Sequence, residues 1–263
     1  MLHNLRKGAV VEKLYELSAQ RAEYIILHAL DGFDITKEEA IQLLKARNDN
    51  TLTQYDRDRV DRLVAAVDNL VEFAVAEEYQ LWRKSIEMAD EEDEYSDIDP
   101  DSKLFQDLID ECKRYNKTYA LVEDEDARYS MAMAAWWISV ARNEYLIYMT
   151  QGDDRVRPWH AALEGFTARR DEFPSWMIPP IEWGCRCFLI TAAGDYVENN
   201  ASLRDVVAKI PEKPSQFDET FSESICTCGR IFGEAHPYFM IEEKHLDMLN
   251  GFVKRIKEKW YGE

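Results

Sequence analysis

Val60, Leu63, Val64, Val67, Leu70, Val71 and Ala74 recur at intervals of three and four, which commits the stretch from about Tyr55 to Met88 to one long amphipathic helix. The period drifts near Glu77 and Glu78, marking a bend or a change of packing partner. Leu14, Leu17, Ala22, Ile25 and Ala29 set a second helix over about 10–30. Thr36 followed by Glu39 is a capping box, in which hydroxyl and carboxylate satisfy the orphan amides of a helix start. Two more helices are expected over about 102–121 and 125–148. On the first, Leu104, Leu108, Ile109, Cys112 and Tyr115 share a face, which makes Cys112 a buried core thiol. On the second, Trp136, Trp137 and Val140 belong to a core or an interface.

Between these helices runs ADEEDEYSDIDPDS, from Ala89 to Ser102. Its like charges repel, it has no apolar face, and Pro100 interrupts any helix, so it reads as an exposed acidic loop. It lacks the glycine turn and terminal glutamate of a calcium loop. After Thr150 helical periodicity stops, proline and glycine become frequent, and short apolar runs such as CFLIT appear. PEKPSQF, around Pro211 and Pro214, reads as a loop or surface connection. A closing helix is expected over about Ile241–Tyr261, weakened by Gly251. The expected class is α+β: a helical region over 1–148, an irregular module with short strands over 149–240, and a C-terminal helix over 241–263.

The chain has 263 residues, and its 51 acidic against 32 basic side chains give a net charge of −19. Such a surface is repelled by phosphate backbones, which argues against direct DNA binding; its other role is solubility. No apolar run is long enough for a signal peptide or a membrane span, and YSMAMAAWWISVA is short and flanked by charge. The expectation is a soluble protein made in a cytosol, with no membrane partner. Its five cysteines then point to free thiols or metal rather than a disulfide framework.

Two cysteine pairs share one spacing: Cys185 and Cys187 in WGCRC, and Cys226 and Cys228 in ICTCG. On a strand, side chains two apart point to the same side, so each pair can address one ion. Four thiolates match the ligand count of a closed structural zinc site, although the spacing is tighter than the usual knuckle. Unliganded thiols, and a mixed site using His160, are the alternatives. Upstream, DDRVRPWH places carboxylates, guanidinium groups and an imidazole close together. An enzyme would use His160 as a general base and Arg155 or Arg157 to hold an anion. No serine, lysine or thiol stands beside His160 in sequence as a nucleophile. The structural reading is therefore favoured: Asp154 paired with an arginine, and His160 bonded to a backbone carbonyl, pin an irregular loop. Further on, HPYF packs by its aromatics, and His245 sits on the apolar face of the last helix as a satisfied core histidine.

YMTQGDDRVRPWHAALEG, the proline-rich spacer and PPIEWGCRC together resemble the signature of Mu F-like minor head proteins of tailed phages, the head-morphogenesis family. Asp154, Arg155, Arg157, Pro158, His160, Pro179, Pro180, Gly184, Cys185, Arg186 and Cys187 fall on that pattern. GRIFGEAHPYF resembles a trailing segment of some members, whereas Cys226 and Cys228 are outside the pattern. The resemblance implies a non-enzymatic virion component, made in the bacterial host and needed for head assembly. Its expected place is the capsid interior or portal vertex, with the portal protein or other head proteins as partners. Some members leave the head with the DNA, and others carry a toxin domain, for which too little chain follows the signature here. The competing reading of the residues is a metal-dependent hydrolase or nuclease built on His160 and the cysteine pairs.

Overall fold

The computed structural model describes residues 2–90, 102–192 and 210–262. Helix α1 (Leu2–Gly32) lies against the two other long helices, α3 (Gln54–Asp90) and α5 (Ala120–Ser139). From α1, Leu14, Ala22, Ile25, Ile26 and Ala29 are buried there, and they meet Leu63, Val67, Leu70, Val71 and Ala74 of α3. The stripe that specified α3 is thus its core face. A Cβ on Gly32 would stand 1.9 Å from the carbonyl oxygen of Arg128, so α1 and α5 approach to backbone distance at that point. Helix α2 (Lys37–Lys45) begins with the expected capping box: Thr36 Oγ1 accepts from the Glu39 amide at 3.2 Å, and Glu39 accepts from the Thr36 amide at 2.8 Å.

The drift near Glu77 is a change of packing partner. Arg21 of α1 is buried and donates to Glu77 at 2.6 Å, to Asp124 at 2.6 Å and to Glu123 at 2.9 Å. The apolar stripe yields there to a buried ion cluster, and helical spacing continues through it. One guanidinium faces three carboxylates, and burial holds the Glu77 carboxyl well above its ordinary range.

The next two helices differ from expectation. Helix α4 (Lys103–Lys113), capped by Ser102, runs through a π-helical turn (Arg114–Tyr119) straight into α5, without a break near 121. Cys112 is half-buried rather than a core thiol, because α4 touches the bundle only along one partly covered face. Helix α5 stops at Ser139, not at 148: Val140 turns extended, and the Glu144 amide bonds the Ala141 carbonyl to reverse the chain. Tyr145–Met149 is then strand β1, which buries Leu146 and Tyr148 in alternation. A short apolar run satisfies both periods, and pairing on both sides decides for the strand. Of the core residues expected on α5, Trp137 and Val140 are buried and Trp136 is partly so.

Strands β2 (Thr167–Arg169) and β3 (Phe188–Ala192) flank β1 in the order β2-β1-β3, both pairings antiparallel. Tyr145 stands opposite Arg169 and Ala192, and Met149 opposite Phe188. With helices segregated from this small sheet, the class is α+β. CFLIT supplies β3 from Phe188 onward.

Past Pro211 the chain is irregular, with three 3-10 turns, and α3 supplies the hydrogen bonds that such a segment lacks. Asn69 accepts from the Ile231 and Phe232 amides and donates to the Phe232 carbonyl, each at 2.9 Å. Gln80 donates to the carbonyls of Tyr238 and Met240, and Arg62 to that of Cys226. The chain ends in α7 (Glu243–Tyr261), unbroken at Gly251, with Leu249, Phe252, Ile256 and Trp260 buried against α1, α2 and α3. His245 lies 3.0 Å from the Tyr79 hydroxyl, beside the Tyr79 and Trp82 rings. Most of the acidic stretch 89–102 lies outside the described residues. Among the described residues, no helix is long and apolar enough to cross a membrane.

Candidate functional site

Helix α6 (Pro158–Ala161) is a single turn opened by Pro158, whose missing amide is tolerated at a first helical position. That turn drives His160 inward to 2 % exposure. Twenty-odd residues later the chain reverses at Gly184, whose φ of 63° favours glycine, and the Cys185 amide closes the turn on the Glu182 carbonyl at 3.1 Å. The reversal carries Cys185 and Cys187 to the same imidazole edge. His160 Nδ1 lies 3.3 Å from Cys187 Sγ and 3.8 Å from Cys185 Sγ. Neither cysteine is on a strand: both precede β3, and the turn rather than a pleat aligns them.

The other ring nitrogen is held as firmly. His160 Nε2 is 3.1 Å from Glu182, whose carboxylate also accepts from Trp159 Nε1 at 3.1 Å and pairs with Arg157 at 3.0 Å. Arg157 in turn donates to the Trp183 carbonyl at 2.7 Å. On the far side, the Tyr129 hydroxyl donates to the Cys187 carbonyl. The Tyr148 hydroxyl is fully buried beside the Cys187 sulfur, without a hydrogen bond of good geometry. The two thiols titrate unequally: the hydrogen bond between them lowers Cys187 and raises Cys185. From α5, Asp126 accepts the Gly184 amide through both oxygens, at 2.9 and 3.1 Å, and burial pushes its carboxyl up to about 7.

The sequence-derived candidates separate into three groups. His160, Cys185 and Cys187 converge, their donor atoms all within 4.8 Å of one another, with Arg157 and Pro158 supporting and Gly184 making the turn. Arg186 binds the acid next to the expected one: Asp153 accepts both guanidinium contacts, at 2.7 and 2.8 Å, while Asp154 and Arg155 are exposed. Likewise His160 contacts Glu182 and a thiol instead of a backbone carbonyl, because α6 turns the ring away from the loop. Cys226 and Cys228 stay outside the cluster. Cys226 is buried in a 3-10 turn (Ile225–Thr227), where burial pushes its thiol up to about 12; Cys228 is exposed, with a left-handed φ of 60°.

Glu182, Tyr129, Tyr148 and Asp126 are the residues that sequence reasoning missed. Glu182 and Tyr148 had a signal, Glu182 as the acid inside IPPIEWGCRC and Tyr148 as the first residue of YMTQGDDRVRPWHAALEG; Tyr129 and Asp126 sit on α5 with none. Chemically, two thiols and an imidazole can chelate a soft cation or simply hydrogen-bond. The order thiol, imidazole, carboxylate also matches an activated nucleophile. However, Cys187 and His160 are 3 % and 2 % exposed, which leaves a substrate no approach in this conformation.

The segment from α4 to β3 carries every one of these groups. Residues 101–190 match the family described as Phage Mu protein F like protein. That stretch is similar to the Mu F-like family. Over 80 residues the chain is 36 % identical to the Mu-like prophage FluMu F protein of Haemophilus influenzae, a match covering 30 % of this chain and 18 % of that protein. Over 45 residues it is 44 % identical to an uncharacterized protein of Methanocaldococcus jannaschii, covering 17 % and 7 % of the two chains. The similarity therefore spans less than a fifth of either relative's length. No solved structure matches the chain. The Mu F-like stretch includes every residue from Asp153 to Cys187, so the Arg, His and Cys signature and its cross-links lie inside the matched residues.

Proposed function

We propose that this protein is a non-enzymatic head-morphogenesis component of a tailed phage or prophage, assembled into the virion from the host cytoplasm. The Mu F-like match over residues 101–190 carries the reading. Consistent with a scaffold, the signature side chains engage one another: Arg186 with Asp153, Arg157 with Glu182, and His160 with Cys187. Binding to neighbours then falls to the helical layer. Leu17, Tyr24 and Leu27 on α1, and Leu121 and Val122 on α5, are exposed apolar groups on an otherwise acidic chain. The partners are the portal protein or other head proteins, at the portal vertex or capsid interior, and some copies leave with the DNA. The net charge of −19 keeps the protein from being trapped on packaged DNA.

The test is deletion of the gene from its phage or prophage, with heads inspected by electron microscopy, and co-purification of the tagged chain with the portal protein of the same genome. Defective heads and a portal complex are expected. Normal heads with no head protein retained would overturn the assembly role, and absence from infected cells would remove ejection alone.

A further inference from the structure

We propose that His160, Cys185 and Cys187 form a zinc site, with Nδ1 of His160 and the two sulfurs as its protein ligands. Zinc bound at its ordinary Zn–N and Zn–S lengths sets tetrahedral N···S edges of ~3.6 Å. The observed separations of 3.3 and 3.8 Å bracket that edge, and all three donor atoms lie within 4.8 Å of one another. The two imidazole–sulfur separations therefore already suit an ion of this size.

Three further observations support the assignment. Nδ1 is free to ligate because Nε2 is committed to Glu182, which Arg157 and Trp159 hold in place; a carboxylate behind the imidazole is the usual outer partner of a metal-bound histidine. Buried against the Cys187 sulfur is the Tyr148 hydroxyl, at 0 % exposure and without a hydrogen bond of good geometry. It supplies the fourth position, directly or through a bound water. Finally, two thiolates cancel the charge of a divalent ion, so the site is neutral where His160, Cys185 and Cys187 are nearly inaccessible to water. Two thiolates and one imidazole in tetrahedral geometry favour zinc over the harder oxygen-seeking cations. The ion would fasten the α6 turn to the Gly184 turn, two irregular segments with no ladder between them. This inference does not depend on the assembly role.

The test uses the full chain, purified reduced and without chelator, for metal content, then stripped and titrated with zinc alone or cobalt(II) alone. One zinc per chain is expected, with two protons released as the thiols deprotonate and a cobalt–thiolate charge-transfer band of two-sulfur intensity. Cys185→Ser and Cys187→Ser should lose the metal, while Cys226→Ser and Cys228→Ser keep it. Glu182→Gln should retain the cobalt band but bind roughly 10–100-fold more weakly. Circular dichroism checks the fold of each variant, and the wild-type and Glu182→Gln titrations decide the matter even if a cysteine variant unfolds. A folded, reduced wild-type chain that takes up neither ion would overturn the site, as would loss of metal on changing Cys226 or Cys228.

Discussion

Arg186 reaches back 33 positions to Asp153 and grips its carboxylate with both terminal nitrogens, at 2.8 and 2.7 Å. The contact ties the turn that presents the two cysteines to the loop leaving β1. It is made in water, since both side chains are more than a third exposed. Buried neighbours, not this pair, therefore hold the module's shape.

Arg186→Ala should consequently cost less than ~1 kcal/mol, despite lying in the signature. Urea unfolding of the purified variant measures this. A stable Arg186→Ala chain that no longer supports head assembly would assign the guanidinium to a partner contact.

Arg21 behaves in the opposite way. It is buried among Glu77, Glu123 and Asp124, and its removal leaves three carboxylates facing one another away from water. Arg21→Met should destabilise by about 3–5 kcal/mol at neutral pH. The deficit should shrink as the pH falls towards 5, because protonated carboxyls no longer need the cation. Denaturant midpoints at the two pH values check both statements.

His236 gives the folded protein a sensitivity to acid. Its ring is buried among Phe73, Trp183 and Tyr238, and its Nδ1 accepts the Tyr238 amide at 3.2 Å. Burial lowers its pKa from 6.5 to about 4. Between those values the unfolded chain binds a proton that the folded one refuses, so stability falls as pH drops from 6.5 towards 4 and the contribution is gone below 4. The loss is on the order of 3 kcal/mol. His236→Asn keeps an acceptor for the Tyr238 amide and should flatten this part of the profile; an unchanged slope in the variant would refute the assignment.

Two helical glycines should respond with opposite signs. Gly32→Ala pushes a methyl group into the Arg128 carbonyl and should cost about 1–3 kcal/mol, or more if α1 and α5 must separate. Gly251→Ala adds a methyl group where nothing lies within 4 Å, on an exposed position of α7, and should stabilise by about 0.5–1 kcal/mol. Thermal melts of the two variants test the contrast.

The helices were readable because their signal is local: the stripe from Val60 to Ala74 and the Thr36–Glu39 capping box each lie within a few turns of chain. Where the reading failed, two states were equally compatible with local residues. YLIYM fits a helix or a strand until β2 and β3 pair with it, and the run from Leu104 to Tyr115 does not tell whether α4 stops or passes into α5. At the site, the residue types were readable and the partners were not. Asp153 was chosen over its neighbour Asp154 by the position of Arg186, which no spacing rule encodes.

By itself the sequence determined the long helices, the acidic character, and the short list of His, Arg and Cys side chains that could carry chemistry. Only the tertiary structure decided that Cys185 and Cys187, and not Cys226 and Cys228, meet His160, and that Glu182 and Tyr148 complete the surroundings. The reason is physical. Periodicity and capping are short-range properties of the backbone. The meeting of sulfur, imidazole and carboxylate depends on how an α6 turn and a glycine reversal over twenty residues apart pack against α5 and β1.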